Sequence, residues 1–274
     1  MIRQILLTTD FSIASENAIR CAIKTFENLN CHFTLFNCSE ENSKEKSEFY
    51  LNKFREDLEW NCSSLHSFSS LFLDKSIDES ISKLKENFAF QVVVVGTTGL
   101  GNNQYFGSFA KKVYQEFKSA SLFIPHHSIA KTIKKAQVII EANENLNIMR
   151  LVSLRNHLET LEIEASILLV SKDLEEEQRV EKGILKDIKH LFGSVSTKIE
   201  TCNNYVDGIC ECLLTSQSDI FVFMLKEELQ NAFYERALNQ LIADFHSAPV
   251  LNIPILQWPE NNTVIRENKI QYAF

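Results

Sequence analysis

The fold is decided by the stretch VVVVGTTGLGNNQYFGSFAKKV, residues 92–113. Four consecutive valines are typical of a parallel strand that is buried on both faces. The loop that follows holds four of the chain's seven glycines, and a helical pattern begins directly after it. A strand that runs through a short loop into a helix is one passage of a β-α-β unit. This stretch therefore predicts an α/β protein with a parallel sheet.

Apolar runs and helical periods alternate throughout the first half of the chain. Strands are predicted at 5–9, 32–38, 68–73, 92–95 and 121–125. Helices are predicted at about 12–29, 50–65, 76–88 and 108–118. The polar segment 39–48 is interpreted as an exposed loop or the start of a helix. Five strands with four helices predict one doubly wound half, with helices on both faces of the sheet.

The same order repeats in the second half. Strands are predicted at 136–142, 165–171, 195–201, 219–224 and 250–254. Helices are predicted at 145–160, 174–191, 205–216 and 228–245. The closing segments of the two halves align at an offset of about 128 residues, so the chain contains an internal repeat of one whole domain.

The predicted fold class is α/β, with two doubly wound, parallel, five-stranded sheets of Rossmann-like type in tandem and pseudo-twofold packing. The predicted domains are 1–130 and 136–256, followed by a C-terminal tail, 257–274, whose role is open. The halves are expected to form an internal pseudo-dimer through their last strands, SLFIP (121–125) and VLNIP (250–254). Edge pairing of this kind hides unpaired backbone groups.

Composition excludes several classes of protein. The net charge is −8 and no basic stripe is present, which argues against nucleic-acid binding. No apolar run approaches the roughly 18 residues of a membrane span, and the N-terminus lacks the features of a signal peptide. We therefore expect a cytoplasmic protein with no membrane partner. Its seven cysteines form no CxxC pair and its histidines no ligand spacing, so reduced thiols and no metal are expected.

Catalytic motifs are missing from the sequence. There is no GxxxxGK[ST] loop, no GxSxG elbow and no Ser/His/Asp set in an interpretable order. Lys111 and Lys112 follow the glycine loop, but they fit the solvated face of a helix. The chain is therefore not expected to be an enzyme. A nucleotide hydrolase or transferase of a related α/β type is the less favoured alternative.

Two segments carry a resemblance to a known family. ILLTTDFSIASENAIRCAI (5–23) and VVVVGTTG with FGSFAKKV (92–113) resemble the universal stress protein family, in its tandem two-domain form. The resemblance implies the fold of the adenine nucleotide alpha hydrolases and, in members with intact motifs, binding of ATP or AMP. The positions that match the family's motif are Asp10, Ser12, Gly96, Gly99, Gly107 and Ser108. The residue that would touch the adenine lies near Asn37 and Cys38 by the same resemblance.

Physical reasoning places these positions together. For a strand order of 3-2-1-4-5, strands 1 and 4 are neighbours where the order reverses, and ligands bind at that point. Asp10 ends the first strand and Gly96 the fourth. Gly96 and Gly99 would let the backbone adopt φ > 0 and approach a phosphate closely. N–H groups near Gly107 and Ser108, at a helix N-terminus, would bind the anion, while Asp10 suits ribose hydroxyls or an adenine amino group.

The glycine loop departs from the family pattern. Seven residues separate Gly99 from Gly107, where the family has about nine, and Tyr105 and Phe106 could pack over the crevice or fill it. The alternative is a tight strand-to-helix turn that needs glycine and binds nothing. However, the second half makes the same passage, DIFVFMLKEELQ (219–230), with no glycine, so the fold alone does not demand one.

The second half has lost the motif. Asn143 stands near the place of Asp10, and Leu225, Glu228 and Glu235 stand in place of the glycines. Carboxylates repel phosphate, so nucleotide binding is expected in the first half only. The sequence thus predicts a non-catalytic module that binds or senses an adenine nucleotide in the bacterial stress response. The alternative is a ligand-free scaffold, with an unidentified protein partner or a homodimer as its assembly.

Overall fold

A computed structural model describes residues 2–39, 44–97, 108–117, 119–141, 148–160, 162–171, 184–193, 195–201, 208–209, 211, 213, 215–224 and 249–252. The strands are β1 Arg3–Thr8, β2 Cys31–Cys38, β3 His66–Leu73, β4 Val92–Gly96, β5 Ala120–Ile124, β6 Lys135–Glu141, β7 Glu164–Ser171, β8 Ser196–Thr201, β9 Ile220–Met224 and β10 Val250–Asn252. The helices are α1 Ile13–Thr25, α2 Lys44–Asn61, α3 Ile77–Asn87, α4 Ser108–Glu116, α5 Ile148–Thr160 and α6 Ile184–Phe192.

The described strands form one sheet in the order β3-β2-β1-β4-β5-β10-β9-β6-β7-β8. Each half has the doubly wound order 3-2-1-4-5 that the sequence predicts, and the fold class is confirmed. All neighbours are parallel except β5 and β10, which are antiparallel. The two closing strands pair as expected, with Phe123 opposite Val250. This pairing joins the two five-stranded sheets into one sheet of ten strands.

Element boundaries differ from the sequence predictions at several points. The segment 39–48 is in part helical, because α2 begins at Lys44, and α2 ends at Asn61 rather than at 65. β10 is described only to Asn252. The predicted helix 228–245 and the tail 257–274 lie outside the described residues, as does much of 205–216. The domain limits 1–130 and 136–256 stay predictions.

Apolar side chains alternate between the two faces of the sheet. Leu7 and its neighbours on the same face form a core with α1 and α2, while Leu6 and Val93 pack on the opposite face with α3 and α4. Successive residues of a strand point to opposite faces, so strands covered on both sides must be apolar throughout. Two of the described thiols, Cys21 and Cys31, are buried in the first core, and burial raises the pKa of each to about 11. None of the described helices combines the length and the apolar character of a membrane span.

The segment between the halves is bound to the first half by side chains of α1 and of the turn after it. The side-chain amide of Asn17 donates to the Ser128 carbonyl at 2.8 Å. The Thr132 hydroxyl donates to the Glu27 carboxylate at 2.7 Å. Each contact joins residues that are more than 100 positions apart in the chain. The segment 128–135, which joins the two halves, is therefore held against the first half at two points.

Asp219, which precedes β9 in the second half, also binds the segment that joins the two halves. Its carboxylate accepts from the backbone N–H groups of Lys134 at 3.0 Å and Lys135 at 2.9 Å, and it is ion-paired with Lys131. Burial acts to raise the pKa of Asp219. The hydrogen bonds from Lys131, Lys134 and Lys135 outweigh burial, so its pKa is lowered. The ionised carboxylate thus stabilises the start of β6.

Replacing this carboxylate is expected to destabilise the protein in a pH-dependent way. Asp219→Ala leaves two backbone N–H groups without their acceptor and should lower the free energy of unfolding by about 1–3 kcal/mol at pH 7. Because the folded pKa is below the unfolded value of about 3.9, this stabilisation is complete above that value. It is lost as the pH falls through the folded pKa. Urea unfolding at pH 7 and below pH 4 measures both effects.

Asp219→Asn is the matched control for this prediction. It keeps an oxygen for the N–H groups of Lys134 and Lys135 and loses only the ion pair. We expect a smaller effect than with alanine and little dependence on acid pH. Equal stability of wild type and Asp219→Ala at pH 7 would contradict the structural role assigned to this residue.

Candidate functional site

The ends of three neighbouring strands form a crevice at one edge of the first-half sheet. β1 is paired with β2 on one side and with β4 on the other, and the chain reverses direction across the sheet at β1. Carboxyl ends of parallel strands meet at the same edge, and ligands bind where the strand order reverses. Asp10 follows β1, Asn37 lies near the end of β2, and Gly96 ends β4. The strand order brings Asp10 and Gly96 to the same edge of the sheet, as the sequence predicts.

Asp10 and Ser12 form one hydrogen-bonded unit at the start of α1. Ser12 is the N-cap, and its hydroxyl oxygen accepts from the Ser15 N–H at 3.1 Å. The Asp10 Oδ1 atom accepts from the Ser12 N–H at 3.0 Å and from the Ser12 hydroxyl at 2.6 Å. A carboxylate at a helix N-terminus is stabilised by the helix dipole. The carboxylate of Asp10 is thereby held in a defined orientation at the crevice.

Phe11, between these two residues, has a φ of 61°. Bulky side chains rarely adopt this left-handed conformation, which costs about 1–2 kcal/mol. The conformation is held by a hydrogen bond from the Phe11 N–H to the Thr9 hydroxyl at 2.9 Å and by contact of its ring with Tyr50, centroid to centroid 5.8 Å. Strained backbone of this kind clusters at functional sites. Sequence reasoning missed it, because no glycine or asparagine marks the turn.

Asn37 is bonded to the end of β1 through one atom of its side-chain amide. Its Nδ2 donates to the Thr9 carbonyl at 2.8 Å, which makes Oδ1 the acceptor end. Asn37 is 7% exposed, and its Oδ1 has no hydrogen-bond partner among the residues that the structure describes. An unpaired buried acceptor is costly, and native proteins contain few of them.

Thr97 has a similar unpaired atom at the end of β4. Its N–H donates to the Ile124 carbonyl at 3.0 Å, but its hydroxyl, with the residue 1% exposed, has no partner within the described part of the chain. Thr8, on the neighbouring strand, behaves differently, because its hydroxyl donates to the Val94 carbonyl at 2.9 Å. Only burial and neighbours distinguish the two threonines, so sequence reasoning missed Thr97 as it missed the orphan atom of Asn37.

Cys38 lies on the other face of β2 from Asn37. It is half-buried and packs against the core on the α3 and α4 face. The sequence analysis placed the base-contacting position near Asn37 and Cys38. Of these two residues, Asn37 has the hydrogen bond to the end of β1 that is described above. The role of Cys38 as a base contact stays a prediction.

Gly96 does not adopt the conformation that the sequence analysis expects. Its φ is not positive, so the expectation of φ > 0 is wrong at this position. A Cβ on Gly96 would meet the Ala18 Cβ at 3.5 Å and the Ala14 carbonyl at 3.7 Å, which is ordinary contact. The start of α1 packs close against the end of β4 at this point.

The remaining predicted residues are only partly described. Ser108 begins α4, so a helix N-terminus is present where the sequence predicts it. Gly99, Gly107, Tyr105 and Phe106 lie outside the described residues. Whether the aromatic pair covers the crevice stays open.

The corresponding edge of the second half carries a carboxyl group. Glu141 ends β6, the strand that pairs with β9 as β1 pairs with β4, and it is 4% exposed. A buried carboxyl group is a poor neighbour for a phosphate. Asn143, Leu225, Glu228 and Glu235 lie outside the described residues. Within the described ranges, no three His, Cys, Asp or Glu side chains cluster as metal ligands would.

Gly96→Ala is expected to leave stability nearly unchanged. The added methyl group makes ordinary contacts and the φ is accessible to alanine, so the free energy of unfolding should change by less than about 1 kcal/mol. Urea unfolding followed by circular dichroism measures it. A loss of several kcal/mol would show that the packing of α1 against β4 cannot admit a side chain.

Thr97→Val and Thr8→Val are expected to have opposite effects on stability. Thr97→Val removes a buried hydroxyl that has no described partner and should raise the free energy of unfolding by up to about 1 kcal/mol. Thr8→Val removes a satisfied hydroxyl and should lower it by about 1 kcal/mol. The same unfolding measurement on both variants tests the pair. A similar loss in both would mean that the Thr97 hydroxyl is satisfied in the folded protein.

Comparison with solved structures finds the same fold in proteins of very different sequence. A universal stress protein from Archaeoglobus fulgidus DSM 4304 is 13% identical, with a TM-score of 0.64 over 92% of this chain and 98% of that one. A universal stress protein candidate from Pseudomonas aeruginosa UCBPP-PA14 is 12% identical, with a TM-score of 0.64 over 92% and 93%. The cytoplasmic domain of a prokaryotic cation chloride cotransporter is 10% identical, with a TM-score of 0.57 over 92% and 95%.

The first half of the chain resembles a known family. The chain has no match among curated protein sequences. The model of the universal stress protein family matches residues 1–125, the part that contains Asp10, Ser12 and the glycine loop. Residues 1–125, which make up less than half of the chain, are thus similar to the universal stress protein family.

Proposed function

We propose that residues 1–125 bind an adenine nucleotide, ATP or AMP, in the crevice at the ends of β1, β2 and β4. One observation carries the proposal. Asn37 Oδ1 and the Thr97 hydroxyl are buried without a described hydrogen-bond partner, on the two strands that flank Asp10. Orphaned polar atoms are rare in folded proteins, and a ligand that bonds to both would remove their cost.

The chemistry of the crevice matches the parts of a nucleotide. Asn37 Oδ1 is an acceptor and needs a donor, which an adenine amino group or a ribose hydroxyl supplies. The carboxylate of Asp10 likewise accepts from hydroxyl groups. The N-terminus of α4, at Ser108, supplies N–H groups and a partial positive charge for a phosphate. In this assignment Gly99 and Gly107 lie in the sequence between β4 and α4. This part of the chain leads from the groups that bind the base or the ribose to the helix that binds the phosphate.

The role we assign to the site is binding or sensing in the bacterial stress response, without catalysis. The family supports a stress-response role. We place the protein in the cytoplasm, as expected from its sequence. The buried Glu141 supports a nucleotide site in the first half only.

A second candidate function is that of a ligand-free scaffold. The antiparallel pairing of β5 with β10 supports it, because this pairing buries the edges by which separate domains of this order could associate. The likeness to the cytoplasmic domain of a prokaryotic cation chloride cotransporter also supports it, because in that protein the fold is one domain of a larger protein. In this alternative an unidentified protein or a second copy of the chain is the partner.

Calorimetric titration with ATP and with AMP tests the proposal on matched variants. Thr97→Val should weaken nucleotide binding about tenfold, which corresponds to one lost hydrogen bond of about 1.4 kcal/mol. Asp10→Asn keeps an oxygen for Ser12 but loses the charge, and it should also weaken binding. Thr8→Val is the control: its hydroxyl is already bonded to Val94, so affinity should match that of wild type.

Two outcomes would decide against the nucleotide site. If the wild-type protein gives no heat with ATP or AMP and purifies without nucleotide, the scaffold function is favoured. If it binds nucleotide but Thr97→Val and Asp10→Asn bind as tightly as Thr8→Val, the nucleotide lies elsewhere.

A further inference from the structure

The two outer strands of the ten-stranded sheet differ in charge. β8, STKIET, carries Lys198 and Glu200, whose charged atoms are 2.6 Å apart. β3, HSFSSLFL, contains no Lys, Arg, Asp, Glu or Pro over its eight residues. Charged side chains and prolines are the usual means of preventing an edge strand from pairing with another chain. β3 has neither a charged side chain of these types nor a proline, and β8 has charged side chains.

The outer side of β3 has no strand beside it in the described part of the chain. β3 is in parallel register with β2 along its whole length, from His66 opposite Cys31 to Leu73 opposite Cys38. It is the last strand on its side of the sheet. An edge of eight residues extends for about 26 Å and presents a row of backbone N–H and C=O groups.

A groove of about 250 Å³ lies beside this edge, on the face opposite α2. Its floor includes His32 and Thr34 of β2 and Ser69 of β3. One wall is formed by Phe88 and Phe90, between α3 and β4. The two rings are stacked, with centroids 5.5 Å apart and planes at 16°.

The floor of the groove is a network of hydrogen-bonding side chains. The two ring nitrogens of His32 are 2.9 Å from the Ser67 hydroxyl and 3.0 Å from the Ser69 hydroxyl. The Thr34 hydroxyl is 3.1 Å from the Ser69 hydroxyl. Among the residues that the structure describes, no Lys, Arg, Asp or Glu lines the groove. A charged group that entered it would lose hydration without gaining a counter-charge, so the groove fits an uncharged side chain.

We propose that β3 binds an extended segment of a partner protein by strand addition. The backbone of the segment pairs with the outer edge of β3, and one aromatic side chain with a polar end, such as tyrosine, enters the groove. Its ring packs on Phe88 and Phe90, and its hydroxyl reaches the serine and threonine hydroxyls of the floor. In strand addition, backbone bonds supply affinity and a pocket for an alternate side chain supplies specificity.

A second copy of the chain fits the groove less well than a partner segment does. In a pair of two β3 strands within one sheet, the side chains of the other copy on the face of the groove would be Ser67, Ser69, Leu71 and Leu73, because side chains alternate between faces along β3. None of these four side chains combines an aromatic ring with a polar end. A tyrosine from a different protein has both.

Selection from a displayed library of random decapeptides, with the full chain as target, tests this proposal. The selected peptides should share an uncharged aromatic residue within an extended, alternating pattern. Their affinity should fall at least tenfold with Phe88→Asp, whose ring is 44% exposed and whose replacement leaves the core intact. Ile129→Asp, at a residue that is 76% exposed and far from β3 in the sequence, is the control and should bind as wild type does. Hydrogen exchange should show protection of residues 66–73 by the peptide.

Other outcomes would overturn the proposal. It fails if no peptide is selected, if Phe88→Asp binds as tightly as Ile129→Asp, or if protection appears outside β3. It also fails if ultracentrifugation shows a dimer that Phe88→Asp abolishes, because the groove would then be an interface between copies. Circular dichroism verifies that Phe88→Asp is folded, and Ala89→Asp, at another exposed residue of the groove, provides a second variant. Neither variant touches the nucleotide crevice, so the result is independent of ATP binding.

Discussion

The candidate site depends on the hydrogen bonding of β1 between β2 and β4. This pairing brings together residues that are more than 80 positions apart, as the bond from the Thr8 hydroxyl to the Val94 carbonyl shows. The chain cannot cover both sides of β1 with consecutive strands, so the direction of winding reverses there and a crevice opens at the carboxyl edge. Asp10, Asn37 and Thr97 are neighbours for this reason alone. The strained turn at Phe11 lies at the same edge of the sheet, where it leads the chain directly from β1 into α1.

The pairing of β5 with β10 determines which strand edges of the sheet are left to bind another chain. By pairing these two strands, the protein removes the inner edges of both halves and leaves β3 and β8 as the outer strands of the described sheet. The contacts of Asn17 and Asp219 with the segment 128–135 hold the halves in this arrangement. The two outer edges differ chemically, and β3, which has no Lys, Arg, Asp or Glu, lies beside the groove. One protein thus combines a nucleotide crevice in its first half with a separate edge for a partner, as we propose.

Most of the fold was predictable from the sequence, and the reasons for success and failure are local. The valines of β4 and the alternation of strands with helices predicted the strand order correctly, because buried parallel strands need apolar residues on both faces. The start of α2 was left open between a loop and a helix at 39–48, because the polar residues 44–48 carry no apolar period, and the structure shows them helical. Asp10 and Ser12 were proposed as site residues from their position between a strand and a helix. The φ > 0 expected of Gly96 is wrong, and a Cβ there would make only ordinary contacts with α1.

The sequence by itself determined the alternation of elements, the internal repeat and the residues that close the first strand, since each depends on side chains that are near one another in the chain. The tertiary structure alone decided which polar atoms have partners. Asn37 and Cys38 are adjacent, but the pleat of β2 sends them to opposite faces, and Asn37 donates to the Thr9 carbonyl while Cys38 packs against the core on the α3 and α4 face. Thr8 and Thr97 are the same residue type, but only Thr8 has a described acceptor for its hydroxyl. Burial and pairing depend on strands that are distant in the chain, and for that reason the unpartnered atoms of the crevice became visible only in the folded protein.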